Sequence, residues 1–153
     1  MSGCHAHVRG LMDLAQTCEL GRGAALDSRA ALVDASPNRQ DGSNEARWSR
    51  AMAANSTETF QSPNYPSNYN NNYYVEWCYT CPNQLTLSCP DIRIQWSFFC
   101  WKDALMVSGN GDWSYCGQTS LTYTVPAGRM LSVAFRTNFL ITARGFQCTV
   151  TCP

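Results

Sequence analysis

The residues of this chain that could carry acid–base or nucleophilic chemistry are few and far apart. Its two histidines, His5 and His7, lie near the N-terminus. A Ser-His-Asp or Cys-His arrangement needs a histidine beside its nucleophile, and glycosidase chemistry needs two carboxylates facing one cleft. After residue 58 there is no histidine, and the acids are isolated: Glu76, Asp91, Asp103 and Asp112. We therefore expect no catalysis by this chain alone.

The cysteines favour disulfide bonds over a metal centre. There are nine in 153 residues, which is far above ordinary usage. The only Cys-x-x-Cys pair, Cys78 and Cys81, has no second pair at a zinc-site interval, and a site made from Cys4, Cys18 and the two histidines lacks the usual spacings. Disulfides predict an oxidising, extracellular compartment.

Charge and hydropathy exclude other classes of function. Eleven basic and eleven acidic residues leave no net charge, which does not favour nucleic acid or anionic lipid as a partner. No apolar run approaches the ~20 residues needed to span a bilayer. Asn55-Ser56-Thr57 is an N-glycosylation acceptor, so we treat Asn55 as a candidate glycosylation site.

The N-terminus does not match the predicted secretion. The first nine residues lack the apolar segment and the small-residue cleavage site of a secretory signal. We interpret the first methionine as not being the biological start, with secretion by another route as the alternative.

Composition divides the chain into two parts. Residues 1–58 contain one aromatic residue, Trp48, and no lysine, whereas residues 59–153 contain 17 of the 18 aromatics and seven of the nine cysteines. The first part is polar, with little apolar surface to offset the entropy of ordering it. We therefore predict a flexible or disordered leader over 1–58 and a folded domain over 59–153.

The second part alternates apolar and polar residues with the period of two that half-buried strands require. Leu85, Leu87 and Cys89 fall on one such face, and Ile92, Ile94 and Trp96 on the next. Turn sequences, such as those at residues 108–112 and 126–128, separate these segments. The pattern predicts an antiparallel, all-β, two-sheet sandwich, with Trp77 and Trp96 in its core.

Four segments at these separations resemble a CUB domain, an extracellular β-sandwich module. They are Ser62-Pro63-Asn64-Tyr65-Pro66-Ser67-Asn68-Tyr69, residues 100–107, Tyr115-Cys116-Gly117 and Gly145-Phe146-Gln147-Cys148. The resemblance covers about residues 60–152. It implies a jelly-roll sandwich and a non-catalytic recognition module that binds an extracellular protein or glycan partner.

The resemblance also implies how several cysteines pair. Cys100 and Cys116 match the second of the two usual CUB disulfides. The first is absent, because Val75-Glu76-Trp77 stands where the family has Cys-x-Trp. Cys89 and Cys148 resemble an extra pair in the CUB modules of arthropod CUB-serine proteases, and strand parity points both into the sandwich as an inter-sheet link. Parity also suggests that Cys81 pairs with Cys152, which would leave Cys78 over.

Many CUB domains bind calcium through three acidic positions, which fall here on Gln95, Asp103 and Asn138. Two of the three acids have become amides, and calcium affinity falls as carboxylates are removed. We therefore expect no cofactor, and no useful calcium binding by Asp103 alone. We expect Gln95 and Asn138 to be able to satisfy Asp103 by hydrogen bonds.

Exposed aromatic residues are the remaining candidates for ligand binding, because flat rings with polar edges suit both protein and sugar surfaces. Trp101, Trp113 and Tyr115 lie at or beside the hairpin between Cys100 and Cys116. The competing interpretation is that such rings cap the edges of the sandwich. Two further alternatives are the regulatory CUB portion of a secreted serine protease whose catalytic domain is not in this chain, and a scaffold without a specific ligand.

Overall fold

The computed structural model describes residues 6–7 and 45–153. These residues form ten β-strands and one short 3-10 helix, Phe98–Cys100. The strands are β1 Ala6–His7, β2 Glu45–Ala51, β3 Ser56–Gln61, β4 Tyr74–Thr80, β5 Leu85–Ile94, β6 Ala104–Ser108, β7 Trp113–Tyr115, β8 Gly117–Val125, β9 Leu131–Arg136 and β10 Gly145–Cys152. In the described part of the chain no helix is long and apolar enough to cross a bilayer.

The strands are arranged in two sheets. The six-stranded sheet has the order β1-β7-β6-β9-β4-β2, and the four-stranded sheet has the order β3-β10-β5-β8. All neighbouring strands are antiparallel except β2 and β4, which are parallel. The predicted all-β, two-sheet sandwich is confirmed.

Alternating apolar residues place one face of each sheet in the core. In β5 the buried positions are Leu85, Leu87 and Cys89, and after an irregularity between Cys89 and Ile92 they become Ile92 and Ile94. Trp96 lies beyond the end of this strand and is 58% exposed, so its predicted core position is wrong. Period-two alternation determines which face of the sheet a side chain lies on only as far as the strand extends.

Aromatic rings fill the space between the sheets. Trp77 is buried, and its ring centroid lies 4.6 Å from that of Phe60 and 6.1 Å from that of Phe146. Phe135 and Phe146 meet edge to face at 5.1 Å. Edge-to-face pairs at such distances add to the stabilisation that comes from burying the rings.

Three disulfides join the cysteines that the sequence analysis paired: Cys81–Cys152, Cys89–Cys148 and Cys100–Cys116. The second is not an inter-sheet link as expected, because β5 and β10 are neighbours in the four-stranded sheet. Cys81–Cys152 connects the two sheets instead, since it joins the end of β4 to β10. Cys78 is disulfide-bonded as well, so the expectation that it is left over is wrong.

The folded domain begins upstream of the predicted boundary. β2 pairs with β4 along its whole length, and β3 crosses the boundary at residue 58. The Nε of Arg47 lies 2.9 Å from Oε2 of the fully buried Glu76, and the Ser132 hydroxyl donates to Oε1 at 3.0 Å. Residues 45–58 therefore belong to the sandwich. Residues 6–7 of the predicted leader pair with β7. The predictions for Cys4, His5 and Cys18, and for the other residues of 1–5 and 8–44, lie outside the described residues.

The start of β10 leaves no room for a side chain at Gly145. A Cβ there would lie 1.8 Å from the Oγ of the buried Ser62 and 2.8 Å from its Cβ, whereas a Cβ at Gly128 would meet nothing within 4 Å. Both glycines have positive φ, +86° and +77°. We expect Gly128→Ala to cost about 1–2 kcal/mol of unfolding free energy, from the backbone alone.

We expect Gly145→Ala to cost at least about 3 kcal/mol, because overpacking adds to the same backbone strain. Urea unfolding of the two variants checks this difference. Equal unfolding midpoints would show that the contact with Ser62 relaxes freely.

Candidate functional site

Three loops meet at one end of the sandwich, which we call the loop end. They are residues 62–73, 95–103 and 137–144. Strand register places them together, because Arg136, the last residue of β9, pairs with both Tyr74 and Ala104, the first residues of β4 and β6. Gly145, which begins β10, pairs with Arg93 near the end of β5.

A buried carboxylate links the three loops. Asp103 is fully buried, and its Oδ2 accepts a hydrogen bond from the Tyr69 hydroxyl at 2.7 Å. Its Oδ1 accepts one from the backbone N–H of Asn138, also at 2.7 Å. The Tyr69 hydroxyl in turn accepts a hydrogen bond from the backbone N–H of Gln95 at 2.9 Å. Each loop thus contributes a group to one network, which we call the Asp103 lock.

The Tyr69 hydroxyl is held in its protonated, donating form. Burial raises the pKa of Tyr69 above its ordinary value, and the neighbouring Asp103 raises it further. A neutral donor therefore faces the carboxylate throughout the physiological pH range.

Further hydrogen bonds join the loops of residues 62–73 and 137–144. The Thr137 hydroxyl donates to the carbonyl of Asn70 at 2.8 Å and accepts from the N–H of Tyr73 at 2.9 Å. The N–H of Asn72 donates to the carbonyl of Asn138 at 2.7 Å. Sequence analysis did not identify Thr137 as a site residue. It considered Tyr69 only as an exposed aromatic candidate, whereas Tyr69 is buried. The only signal for Tyr69 was its place in the Pro-Asn-Tyr-Pro-Ser-Asn-Tyr segment.

The three positions that correspond to the family's calcium ligands come together, and they carry one carboxylate and two amides. Asp103 is the only carboxylate among them, and both of its oxygens already accept hydrogen bonds. The side-chain oxygen of Asn138 accepts from the N–H of Leu140 at 3.0 Å. Within residues 45–153 no group of three His, Cys, Asp or Glu side chains could hold a metal ion. Calcium prefers several oxygens with more than one negative charge.

The other exposed feature of the loop end is a set of large apolar side chains, which we call the apolar ridge. Each is between 51% and 71% exposed. Its members are Trp96, Phe98, Phe99, Trp101, Phe139, Leu140 and Ile141. The Cys100–Cys116 disulfide fixes the loop of residues 95–103, and the Arg136 guanidinium donates to the carbonyl of Trp101 at 3.3 Å. The two loops of the ridge are therefore held next to each other.

The structure separates the predicted aromatic candidates. Trp101 lies on the ridge and is 62% exposed. Trp113 is half-buried on β7 opposite Val107, towards the other end of the sandwich. Tyr115 is buried, so its prediction as an exposed ligand-binding residue is wrong. The use of Asn55, which is exposed in the turn before β3, stays a prediction.

The Asp103 lock predicts an unequal effect of removing two tyrosine hydroxyls. Tyr69→Phe leaves two buried groups without a partner, one of them charged, at about 1–3 kcal/mol or more for each. We expect a loss of roughly 3–5 kcal/mol in unfolding free energy. Tyr123 makes a matched pair of bonds to Asn110 N–H and Gly111 C=O, both at 2.6 Å, but in an exposed turn.

Because water can replace the hydroxyl in that turn, Tyr123→Phe is expected to cost about 1 kcal/mol. Chemical denaturation of both variants measures the difference. Equal losses would contradict a special role for the buried carboxylate.

Solved structures share this fold. The full extracellular region of zebrafish Gpr126/Adgrg6 superimposes with a TM-score of 0.60 at 20% identity, covering 67% of this chain and 14% of that one. The MASP-1 CUB2 domain bound to Ca2+ gives a TM-score of 0.52 at 20% identity, covering 65% of this chain and 96% of that one.

Curated relatives are more similar in sequence. The Cubilin homolog of Drosophila melanogaster is 33% identical over 97 residues, which cover 59% of this chain and 3% of that protein. Protein SpAN of Strongylocentrotus purpuratus is 33% identical over 101 residues, which cover 61% of this chain and 16% of that protein. The match thus spans a small part of each relative. The family model of the CUB domain matches residues 49–150, and the chain belongs to the CUB domain family.

Proposed function

We propose that this chain is a non-catalytic extracellular recognition module that binds a protein or glycan partner through its loop end. CUB domains are typically extracellular protein-binding modules and are not catalytic. The observation that supports the loop end is the Asp103 lock, which holds three loops in one arrangement before any partner arrives. A preorganised surface loses less conformational entropy on binding.

The chemistry of the loop end supports a recognition role. On one side the loop of residues 62–73 presents exposed amides together with Tyr65, whose ring lies 5.4 Å from the Arg144 guanidinium. On the other side lies the apolar ridge with Trp101. Tyrosine, tryptophan and asparagine are typical of binding surfaces, since they combine contact area with hydrogen bonding. Of the sequence candidates, Trp101 is the one we assign to this surface.

We propose that this recognition does not require calcium. The lock uses a hydroxyl and a backbone N–H where a metal-dependent loop end would use the charge of a cation. A secreted location for this chain is part of the same proposal, supported by the disulfides and by the family.

The regulatory CUB portion of a secreted serine protease is the second candidate. The relatives match this chain over only 3% and 16% of their own lengths, so the same unit occurs within much longer proteins. This is compatible with a multidomain protein but does not by itself favour a protease. Sequencing the full-length transcript tests it, because a protease domain in frame with this domain would support it.

Binding is tested with the secreted domain on a glycan array and on a panel of purified extracellular proteins. We expect Trp101→Ala to weaken binding of the identified partner by about tenfold or more, as removal of a central aromatic contact does. Trp113→Ala is the matched control at the other end and should leave affinity within about threefold.

Each measurement is repeated with a calcium chelator, which should change nothing. Binding that needs Trp113 but not Trp101 would place recognition elsewhere on the domain. Binding that disappears with chelator would overturn the proposed independence from calcium.

A further inference from the structure

The apolar ridge contains every large hydrophobic side chain that is exposed in the described residues. All seven lie in two adjacent loops at one end, rather than being scattered over the surface. Single exposed apolar residues are ordinary, but a contiguous exposed set is typical of an interaction site.

The side chains of the ridge are open to solvent. Each member keeps more than half of its surface exposed, although the loops that carry them are fixed by a disulfide and by the lock. An apolar cavity of about 410 Å³ lies away from the ridge, between the edge strands β2 and β3. Exposed apolar side chains on loops that are held in place suit a partner surface that can cover them.

The charges of the same loops favour one such surface. The three loops contain one acidic residue, Asp103, which is buried within the lock, and two basic residues, Lys102 and Arg144. The Lys102 ammonium lies 5.3 Å from the centre of the Trp101 ring. The half-exposed Asp91 carboxylate of β5 lies 3.8 Å from the Arg144 guanidinium and 3.1 Å from that of Arg93, so basic groups still outnumber acidic ones at this end. Apolar tips flanked by an excess of basic groups are complementary to lipid chains beneath phosphate headgroups.

We propose that the apolar ridge docks onto the surface of a phospholipid bilayer, with its side chains at the boundary between headgroups and acyl chains. Tryptophan and other aromatic side chains favour this depth, and basic residues favour the headgroups above it. A glycan fits less well, since Phe139, Leu140 and Ile141 offer no hydrogen bonds to hydroxyl groups. This goes beyond the proposed function, because a bilayer is neither a protein nor a glycan.

The neutral net charge of the chain is compatible with this proposal. Binding depends on apolar side chains that reach the acyl boundary, so phosphatidylcholine vesicles should suffice. Adding phosphatidylserine should strengthen binding only modestly, through Lys102 and Arg144.

Vesicle sedimentation with the secreted domain tests the proposal, with tryptophan fluorescence as a second readout. We expect binding to phosphatidylcholine vesicles, a blue shift in tryptophan emission, and quenching by lipids brominated on their acyl chains, since Trp96 and Trp101 enter the interface. Leu140→Asp should lower the partition coefficient at least about tenfold, because a carboxylate is expensive at that depth.

Ala127→Asp is the control, because it adds the same charge in an exposed turn at the opposite end. It should bind as the unchanged domain does, and circular dichroism verifies that both variants are folded. Failure of the folded domain to bind vesicles, or equal effects of the two aspartates, would overturn the proposal.

Protein binding through the ridge would give a different result. Three results together would assign the ridge to a protein partner. A purified protein would bind without lipid, its binding would be lost with Leu140→Asp, and the domain would not bind vesicles. The bilayer proposal would then be wrong, while the proposed function would stand.

Discussion

The loop end depends on one buried carboxylate. Burying a charged group costs several kcal/mol unless it is hydrogen-bonded, so Asp103 requires the Tyr69 hydroxyl and the Asn138 N–H. These donors belong to the other two loops. None of the three loops can therefore move away without leaving the buried charge of Asp103 without a hydrogen bond. The need to hydrogen-bond this one side chain thus restricts the positions of about thirty residues. The same hydrogen bonds therefore also determine where the exposed side chains on these loops lie.

Disulfide bonds also stabilise the strands and the loop that carry this arrangement. Cys100–Cys116 lies three residues from Asp103 and anchors the loop that carries most of the ridge. Cys81–Cys152 joins the two sheets, and Cys89–Cys148 joins neighbouring strands next to the irregularity in β5. Disulfides stabilise chiefly by restricting the unfolded chain, and two of these three join cysteines 71 and 59 residues apart. The sandwich thus tolerates an end at which apolar residues face water.

Much of the fold could be predicted because buried strands repeat every two residues, and the inward positions of β5 and β10 follow from that period. The exposed position of Trp96 could not be predicted, since the alternation gives no information on burial after β5 ends at Ile94. β2 was missed because an edge strand with Arg47 and Arg50 has little apolar alternation of its own. The resemblance led us to expect Asn138 as a partner of Asp103, and Asn138 does donate to it, but through its backbone N–H. Gln95, which was also expected, donates to Tyr69 instead, and no sequence pattern links Tyr69 to Asp103, 34 residues away.

The lock also bears on how binding at this end could be controlled. By the resemblance, three positions at this end are acidic in CUB domains that bind calcium, and there the charge of the ion would hold the carboxylates together. Here two of the three acidic positions are Gln95 and Asn138, and both act through backbone N–H groups that are present whatever the ion concentration. Under the proposed independence from calcium, the loop end stays organised without an ion and presents the apolar ridge continuously. An exposed apolar surface of this kind favours aggregation unless it is covered. Its presence on a domain whose other large apolar side chains are buried is best explained by a binding partner that covers it.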